Sequence, residues 1–275
     1  MEHPFLSYAV PDVPDAALVC AGVRLVGDAS GWITAATPFV TEAEQARARR
    51  FAHAIDAARH LIGRALVRRV LSRALSQPIC DGFACTAWGK PFWPHGGVEF
   101  SIAHSGAWVW AAFCRHAPVG IDVEAAVALP DTLDLAALLH PEEFASVQAL
   151  PPEERTGALY RCWTRKEAVL KAVGTGLLLP LDKFQVRTEE AERGWLVHPP
   201  ESSDLAAVPP IGADAGKIAA VCGAEDIPAP WDVSPVSAHM WSTYDIAVGA
   251  DHQCSVAVTA PDMRLAVSCL QHSGL

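Results

Sequence analysis

No stretch of the sequence approaches the ~18 consecutive apolar residues of a membrane-spanning helix, so the chain is not expected to cross a bilayer. Its first twenty residues carry Glu2, Asp12 and Asp15 but neither Lys nor Arg, which is not the charge pattern of a secretory signal. The eight cysteines include no C-x-x-C pair, and several sit inside apolar runs, where a free thiol behaves as a small hydrophobe. Cysteine metal clusters and disulfides are therefore not expected, and a reducing cytoplasm suits the composition. Basic charge is scarce: the net charge is −10, which argues against nucleic acid as a partner. The chain is nonetheless 51% hydrophobic and 19% charged over 275 residues, so it is globular and long enough to bury one large core or two modest ones.

What basic charge there is lies unevenly. Between Arg47 and Arg73 there are eight arginines against one acid, Asp56, whereas from Thr188 onward Arg193, Lys217 and Arg264 face twelve acids. An acidic protein with arginine gathered on one helical segment is expected to meet a small polyanion or an acidic partner there. An ordinary solvated helix face is the alternative.

Residues 1–40 read as short strands and loops around Leu18-Val19-Cys20 and Val23–Val26. Thr41 with Glu44 forms a capping-box signature, and a helical stretch follows, with a break near Ala52–Ala54 and a buried stripe of Ile55, Ile62, Leu66, Val70 and Leu75. Residues 98–113 read as a hairpin turning at His104-Ser105-Gly106, and the next strand is Val119–Val123. Helical segments then run over about 130–149 and, after Pro151-Pro152, to about Val173, where Gly174 stops the second. Strand-like pieces return at 184–186, 195–197, 243–248 and 254–258. Pro199–Pro235 reads as a loop-rich insertion with at most one strand, near Ile218–Val221. Strands, helices and strands thus occur twice about a pivot at Pro118, which predicts an α+β protein of two similar, pseudo-symmetric halves, 1–118 and 119–275.

The chemistry lies in the second half. In Gly120-Ile121-Asp122-Val123-Glu124, strand alternation puts Asp122 and Glu124 on one face and Ile121 and Val123 in a core. In Trp163-Thr-Arg-Lys-Glu167-Ala-Val-Leu-Lys171, Glu167 and Lys171 stack four apart on one side of a helix, off the stripe of Leu159, Trp163, Leu170 and Val173. Three carboxylates converging with a lysine suit a hard divalent ion held against a phosphate. Each piece alone has a plainer reading: an edge strand that alternates apolar and acidic, and an i,i+4 salt bridge. Gly89-Lys90-Pro91 makes a tight turn with Lys90 at its apex, and His104 stands at the hairpin turn, where a ring N–H can reach a phosphoryl oxygen. Ser105-Gly106 lacks a G-x-S-x-G elbow, so serine hydrolysis is discounted.

In order and spacing, G-K-P, S-I-A-H-S-G, V-G-I-D-V-E and W-T-R-K-E-A-V-L-K-A-V-G-T-G-L resemble the Sfp-type 4′-phosphopantetheinyl transferases. Arg47-Ala-Arg-Arg-Phe51, Arg59-His-Leu-Ile-Gly63, Asp182-Lys-Phe-Gln-Val186 and Cys254-Ser-Val-Ala-Val258 extend the match, which covers roughly 41–187 with a looser tail to about 260. The resemblance implies an active site between the halves. It implies transfer of the phosphopantetheine arm of coenzyme A to a serine of an acyl or peptidyl carrier protein, with Mg²⁺ as cofactor and adenosine 3′,5′-bisphosphate leaving. By the same resemblance Asp122, Glu124 and Glu167 hold Mg²⁺, Glu167 takes the serine proton, and Lys171 contacts phosphate and steadies Glu167. Arg47 and Arg59 are implied for the 3′-phosphate side of coenzyme A, Lys90 for the nucleotide and His104 for a phosphate. Lys166 is a neighbouring charge, and a monomer is expected by analogy. The chain departs from the family pattern at Glu44, where some relatives carry a lysine, at Ala103 in place of a serine, at His60 in place of a threonine, and in the length of 199–235.

Two other functions are compatible with parts of this pattern. A Mg²⁺-dependent phosphohydrolase could use the same carboxylates but needs neither a protein-binding surface nor the lysine turn. A non-catalytic module that binds carrier proteins would have no use for three carboxylates and a lysine.

Overall fold

Two four-stranded sheets, each with a long helix against it, organise the computed structural model, which describes residues 3–189, 193–194, 196–198, 241–260 and 263–270. The insertion predicted at Pro199–Pro235 lies outside the described residues. Among the described residues no helix is long and apolar enough to cross a membrane. The architecture mixes helices and sheets, as the α+β expectation has it.

The chain opens with a short helix α1 (Pro4–Ser7), strand β1 (Ala17–Arg24) and helix α2 (Ala29–Ala36). Thr41 then caps α3 (Glu42–Ala48): its hydroxyl accepts from the Glu44 amide while the Glu44 carboxylate accepts from the Thr41 amide, a reciprocal capping box. The expected break falls at residues 49–53, before α4 (Ala54–Ala74). Ile62, Leu66 and Val70 of the expected stripe are fully buried; Ile55 and Leu75, near the helix ends, are only partly so. Two-residue strands β2 (Ala84–Cys85) and β3 (Pro91–Phe92) flank the lysine turn. A hairpin of β4 (Glu99–Ser105) and β5 (Trp108–Cys114) follows. The turn is tighter than the sequence suggests: only Gly106 and Ala107 lie outside the strands, so His104 and Ser105 are strand residues, paired with Val109 and Trp108.

Strand β6 (Val119–Ala125) leads into α5 (Thr132–Ala136), α6 (Pro141–Ala149) and α7 (Pro152–Val173). The helical stretch expected over 130–149 is two helices, because Pro141 starts a new one rather than continuing the first. Gly174, at φ 93°, ends α7 in the left-handed conformation that glycine adopts without a Cβ penalty. The rest comprises β7 (Gln185–Val186), β8 (Arg193–Gly194), β9 (Leu196–His198), β10 (Ser242–Asp245), β11 (His252–Val258) and β12 (Arg264–Leu270). The first sheet has the order β12-β1-β5-β4 and the second β6-β11-β10-β8. Among the described residues up to 40 there is one eight-residue strand rather than several short ones. Its edge partner β12, parallel to it from Ala17–Arg264 to Val23–Leu270, has no counterpart in the sequence reading.

Side-chain alternation explains how the layers stack. On β5, Val109, Ala111 and Phe113 join α4 residues in one core, whereas Trp108, Trp110, Ala112 and Cys114 join Val119, Ile121 and Val123 of β6 and Cys254, Val256 and Val258 of β11 in another. The two sheets therefore face each other, with α4 outside the first. On the outer side of β6 lies α7, brought unusually close. A Cβ built on Gly120 would stand 1.9 Å from the Ala168 carbonyl oxygen and 2.4 Å from the Ala172 nitrogen. Only glycine allows this contact, and it places the outward face of β6 directly beneath one turn of α7.

Candidate active site

Asp122 and Glu124 occupy that outward face, two and four residues beyond Gly120, and Glu167 and Lys171 project from the apposed turn of α7. Asp122 is buried at 4% exposure, and its Oδ1 accepts from Lys171 Nζ at 2.7 Å. The lysine thus bridges helix to strand. It does not pair with Glu167 one turn away, as the i,i+4 spacing suggests, because the neighbouring strand offers a more deeply buried carboxylate. Glu124 is partly buried, and its Oε2 accepts from the Ser105 hydroxyl at 3.0 Å. Glu167 is 9% exposed.

The electrostatics tie the three acids together. Burial, then the Asp122 charge and more weakly Glu124, push the Glu167 carboxyl up to about 7, with Lys171 opposing. Burial and then Asp122 also raise Glu124, against Ser105, Lys171 and His252. Asp122 Oδ2 and Glu167 Oε1 are buried and accept no hydrogen bond. Two orphaned carboxylate oxygens in mutually repelling acids form a donor set that a hard divalent cation would satisfy, and in this respect the residues fit Mg²⁺. They are not drawn into a ready-made cage: among the described residues no group of three His, Cys, Asp or Glu side chains is arranged to hold a metal. Glu124 leans on Ser105 and Lys171 supplies the positive charge to Asp122.

The first half contributes the other side. His104 is exposed at the end of β4; desolvation of its ring, then the Arg59 and Lys171 cations, hold its pKa below the usual imidazole range. His60 of α4 is held much lower, at about 4, by burial and by Arg64 and Arg47. Its Nε2 is buried without a partner, and its ring packs on Phe51 at 5.6 Å between centroids. Arg47 is exposed at the end of α3, and among the described residues its guanidinium makes no hydrogen bond or ion pair, while its carbonyl accepts from the Arg50 amide. The cations Arg47 and Arg64 therefore flank the uncharged His60 ring in the first half.

Several expected contacts go elsewhere. Lys90 Nζ donates to the carbonyls of Val119, at 3.2 Å, and Ala172, at 2.9 Å, and burial lowers its pKa to about 8. It ties the start of β6 to the end of α7, where helix carbonyls lack intrahelical partners. Arg59 donates Nε to the Gly106 carbonyl at 2.9 Å and Nη1 to Asp56 at 2.7 Å. Arg68 pairs with Glu44 at 2.8 Å, and Arg69 donates to the carbonyls of Phe5, Leu6 and Tyr8. Much of the arginine-rich segment thus holds the first half together. Lys166 faces away from Glu167 into a core, 2.8 Å from Glu143 and over the Phe184 ring at 4.1 Å.

Four residues at the site, Ser105, Arg165, Asp245 and Ser255, have roles that the sequence does not assign them. Ser105 supports Glu124. Arg165, 1% exposed, grips Asp245 through Nε at 3.1 Å and Nη2 at 2.6 Å, and Ser255 donates to the same carboxylate at 2.9 Å while meeting the Thr164 hydroxyl at 2.9 Å. This network clamps α7 to β10 and β11 just before Glu167. For Arg165, its place two residues before Glu167 in W-T-R-K-E is the available signal, and for Ser255 its place in Cys254-Ser-Val-Ala-Val258; Asp245 carries none.

Residues 118–220 match the family model described as the 4′-phosphopantetheinyl transferase superfamily, and residues 29–116 match one described as 4′-phosphopantetheinyl transferase, N-terminal. The chain is 35% identical over 203 residues to the 4′-phosphopantetheinyl transferase Sfp of Bacillus subtilis, covering 72% of this chain and 88% of that protein. A second B. subtilis 4′-phosphopantetheinyl transferase is 37% identical over 154 residues, 55% of this chain and 67% of its own length. The 4′-phosphopantetheinyl transferase HetI of a Nostoc species is 31% identical over 175 residues, 60% and 72% of the two chains.

Proposed function

The chain belongs to the 4′-phosphopantetheinyl transferase superfamily, and we propose that it moves the phosphopantetheine arm of coenzyme A to a serine of an apo acyl or peptidyl carrier protein. In this reading it is Mg²⁺-dependent and monomeric, and adenosine 3′,5′-bisphosphate leaves. It is built as two similar halves, 1–118 and 119–275, with β12 of the second completing the sheet of the first and the active site between them. The observation that carries the proposal is the meeting of Asp122 and Glu124 with Glu167 and Lys171 across the Gly120 contact.

The serine Oγ attacks the phosphorus on the pantetheine side, and the bond from that phosphorus to the bridging oxygen breaks. Glu167 Oε1 is unpartnered and takes the serine proton. Asp122 and Glu124, with Glu167, would hold Mg²⁺, which when bound neutralises charge on the leaving phosphate. Lys171, 30% exposed and anchored on Asp122, presents its remaining protons to phosphate oxygen. Arg47 and His60 receive the phosphate groups of the nucleotide end, and His104, whose ring feels the Arg59 and Lys171 cations, donates to a phosphate. Arg59 and Lys90 act at one remove, holding the hairpin and the β6–α7 junction.

The test is incubation of the full chain with coenzyme A, Mg²⁺ and a panel of apo carriers, read by mass spectrometry. A phosphopantetheine adduct on the carrier serine is expected. Its absence on every carrier, with coenzyme A hydrolysed instead, would overturn the proposal in favour of a phosphohydrolase.

A further inference from the structure

The Ser105 hydroxyl makes two hydrogen bonds that leave it no freedom. Its Oγ lies 3.0 Å from the Ala125 nitrogen and 3.0 Å from Glu124 Oε2. A backbone amide only donates, so the hydroxyl accepts from Ala125, and its single proton is committed to Glu124. One oxygen of Glu124 is thereby tied down and the other left for a ligand. Ser105 belongs to the first sheet and Glu124 to the second, so this bond joins the two.

The turn that carries Ser105 is itself fixed from two sides. Arg59 of α4, steadied by Asp56, holds the Gly106 carbonyl. On the other side His252 of β11 closes over Gly106, whose φ is 55°, and a Cβ there would come within 2.8 Å of His252 Nε2. Helix, hairpin and second sheet thus set where the Ser105 hydroxyl stands.

We propose that Ser105 is a positioning residue: through it the first half fixes the orientation of Glu124 and so the metal affinity of the carboxylate site. This rests on the reading of Glu124 as a metal carboxylate. Outer-shell partners of this kind are worth ~10–100-fold in metal affinity or activity. A serine that served only to end β4 would leave metal binding untouched.

The experiment measures Mn²⁺ binding to the full chain by electron paramagnetic resonance, with Mn²⁺ standing in for Mg²⁺, in Ser105→Ala, Ser105→Thr and Glu124→Gln. Ser105→Ala is expected to bind Mn²⁺ ~10–100-fold more weakly with a metal-free melting temperature lowered by only a few degrees, and Ser105→Thr to restore binding. Transfer by Ser105→Ala should show a lowered kcat with the coenzyme A KM unchanged. Wild-type Mn²⁺ affinity in Ser105→Ala beside weakened binding in Glu124→Gln overturns the role of Ser105 alone. Wild-type affinity in Glu124→Gln overturns the metal reading, and the role of Ser105 with it. Where the alanine variant does not fold, Ser105→Cys, with only a weak S–H donor, carries the same test: weakened binding supports the role and wild-type affinity overturns it.

Discussion

Replacing Lys166 by methionine should cost the protein its stability and spare its chemistry. Lys166 adjoins Glu167 in sequence, yet its ammonium lies 2.8 Å from Glu143 Oε1 with both side chains wholly buried. Burial pushes the lysine pKa down and Glu143 pulls it back. Glu143 also accepts from the Val186 amide at 2.7 Å and the His140 amide at 2.9 Å, so the pair fastens α7 to α6 and to β7. Removing one partner of a buried pair typically costs ~3–5 kcal/mol, because the other charge is stranded. The two remaining amides place the loss near the lower end, ~3 kcal/mol. With a urea m-value of ~3 kcal/mol/M, the unfolding midpoint falls by ~1 M. Adding Glu143→Gln removes the stranded charge but keeps only one of the two oxygens that accept from the Val186 and His140 amides, so the double variant should recover about 1 kcal/mol at most. Circular dichroism in urea measures the midpoints, and carrier modification at low temperature measures the chemistry of the folded variant. An unchanged midpoint, or a folded Lys166→Met that transfers at background rate, would refute the reasoning.

Glu167 gives a pH-dependent counterpart. Its folded pKa, about 7, lies above the ordinary 4.5, so its contribution favours folding at acid pH and is lost as pH rises from about 4.5 through 7. Metal-free Glu167→Gln should therefore melt higher than wild type at pH 8, with a smaller gain at pH 5, and should lose transfer; equal gains at both pH values in scanning fluorimetry count against this. His60 has the opposite sign: its folded pKa, about 4, lies below 6.5, so its contribution is lost as pH falls between those values, and His60→Gln should flatten that part of the melting profile. Lys90→Met frees the Val119 and Ala172 carbonyls and should cost ~1.5–3 kcal/mol in denaturant unfolding, the worth of hydrogen bonds from a charged donor. Gly120→Ala would set a methyl group into the Ala168 carbonyl, so it should lower the melting temperature and separate Asp122 from Lys171, abolishing transfer even where the protein folds.

How much of this was legible in the sequence depended on the range of the interaction involved. The Thr41–Glu44 capping box, the αL stop at Gly174 and the shared face of Asp122 and Glu124 are set by residues within a few positions of each other, and period alone reveals them. Lys171 shows where period fails: Glu167 is its neighbour along the helix, but Asp122 is nearer once Gly120 lets the strand in. Lys90 and Arg59 read as free cations because the carbonyls they serve lie far along the chain, at Ala172 and Gly106. Ser105 was weighed only as a nucleophile, because its partner on another sheet is not visible in local sequence. Strand β12 was missed for a similar reason. It is a partly exposed edge strand with apolar residues on both faces, so no clean alternation marks it, and its pairing with β1 spans nearly the whole chain.

That pairing has a consequence for how the molecule is made. Chains emerge from their N-terminal end, so β1 is synthesised among the first elements and its parallel neighbour β12 after all the others. Until residues 264–270 appear, one flank of β1 has unmet backbone donors and acceptors on an apolar strand, the kind of edge that recruits other chains. The first sheet to begin is the last to be completed, and a polypeptide cut short before Arg264 would leave β1 with an open edge.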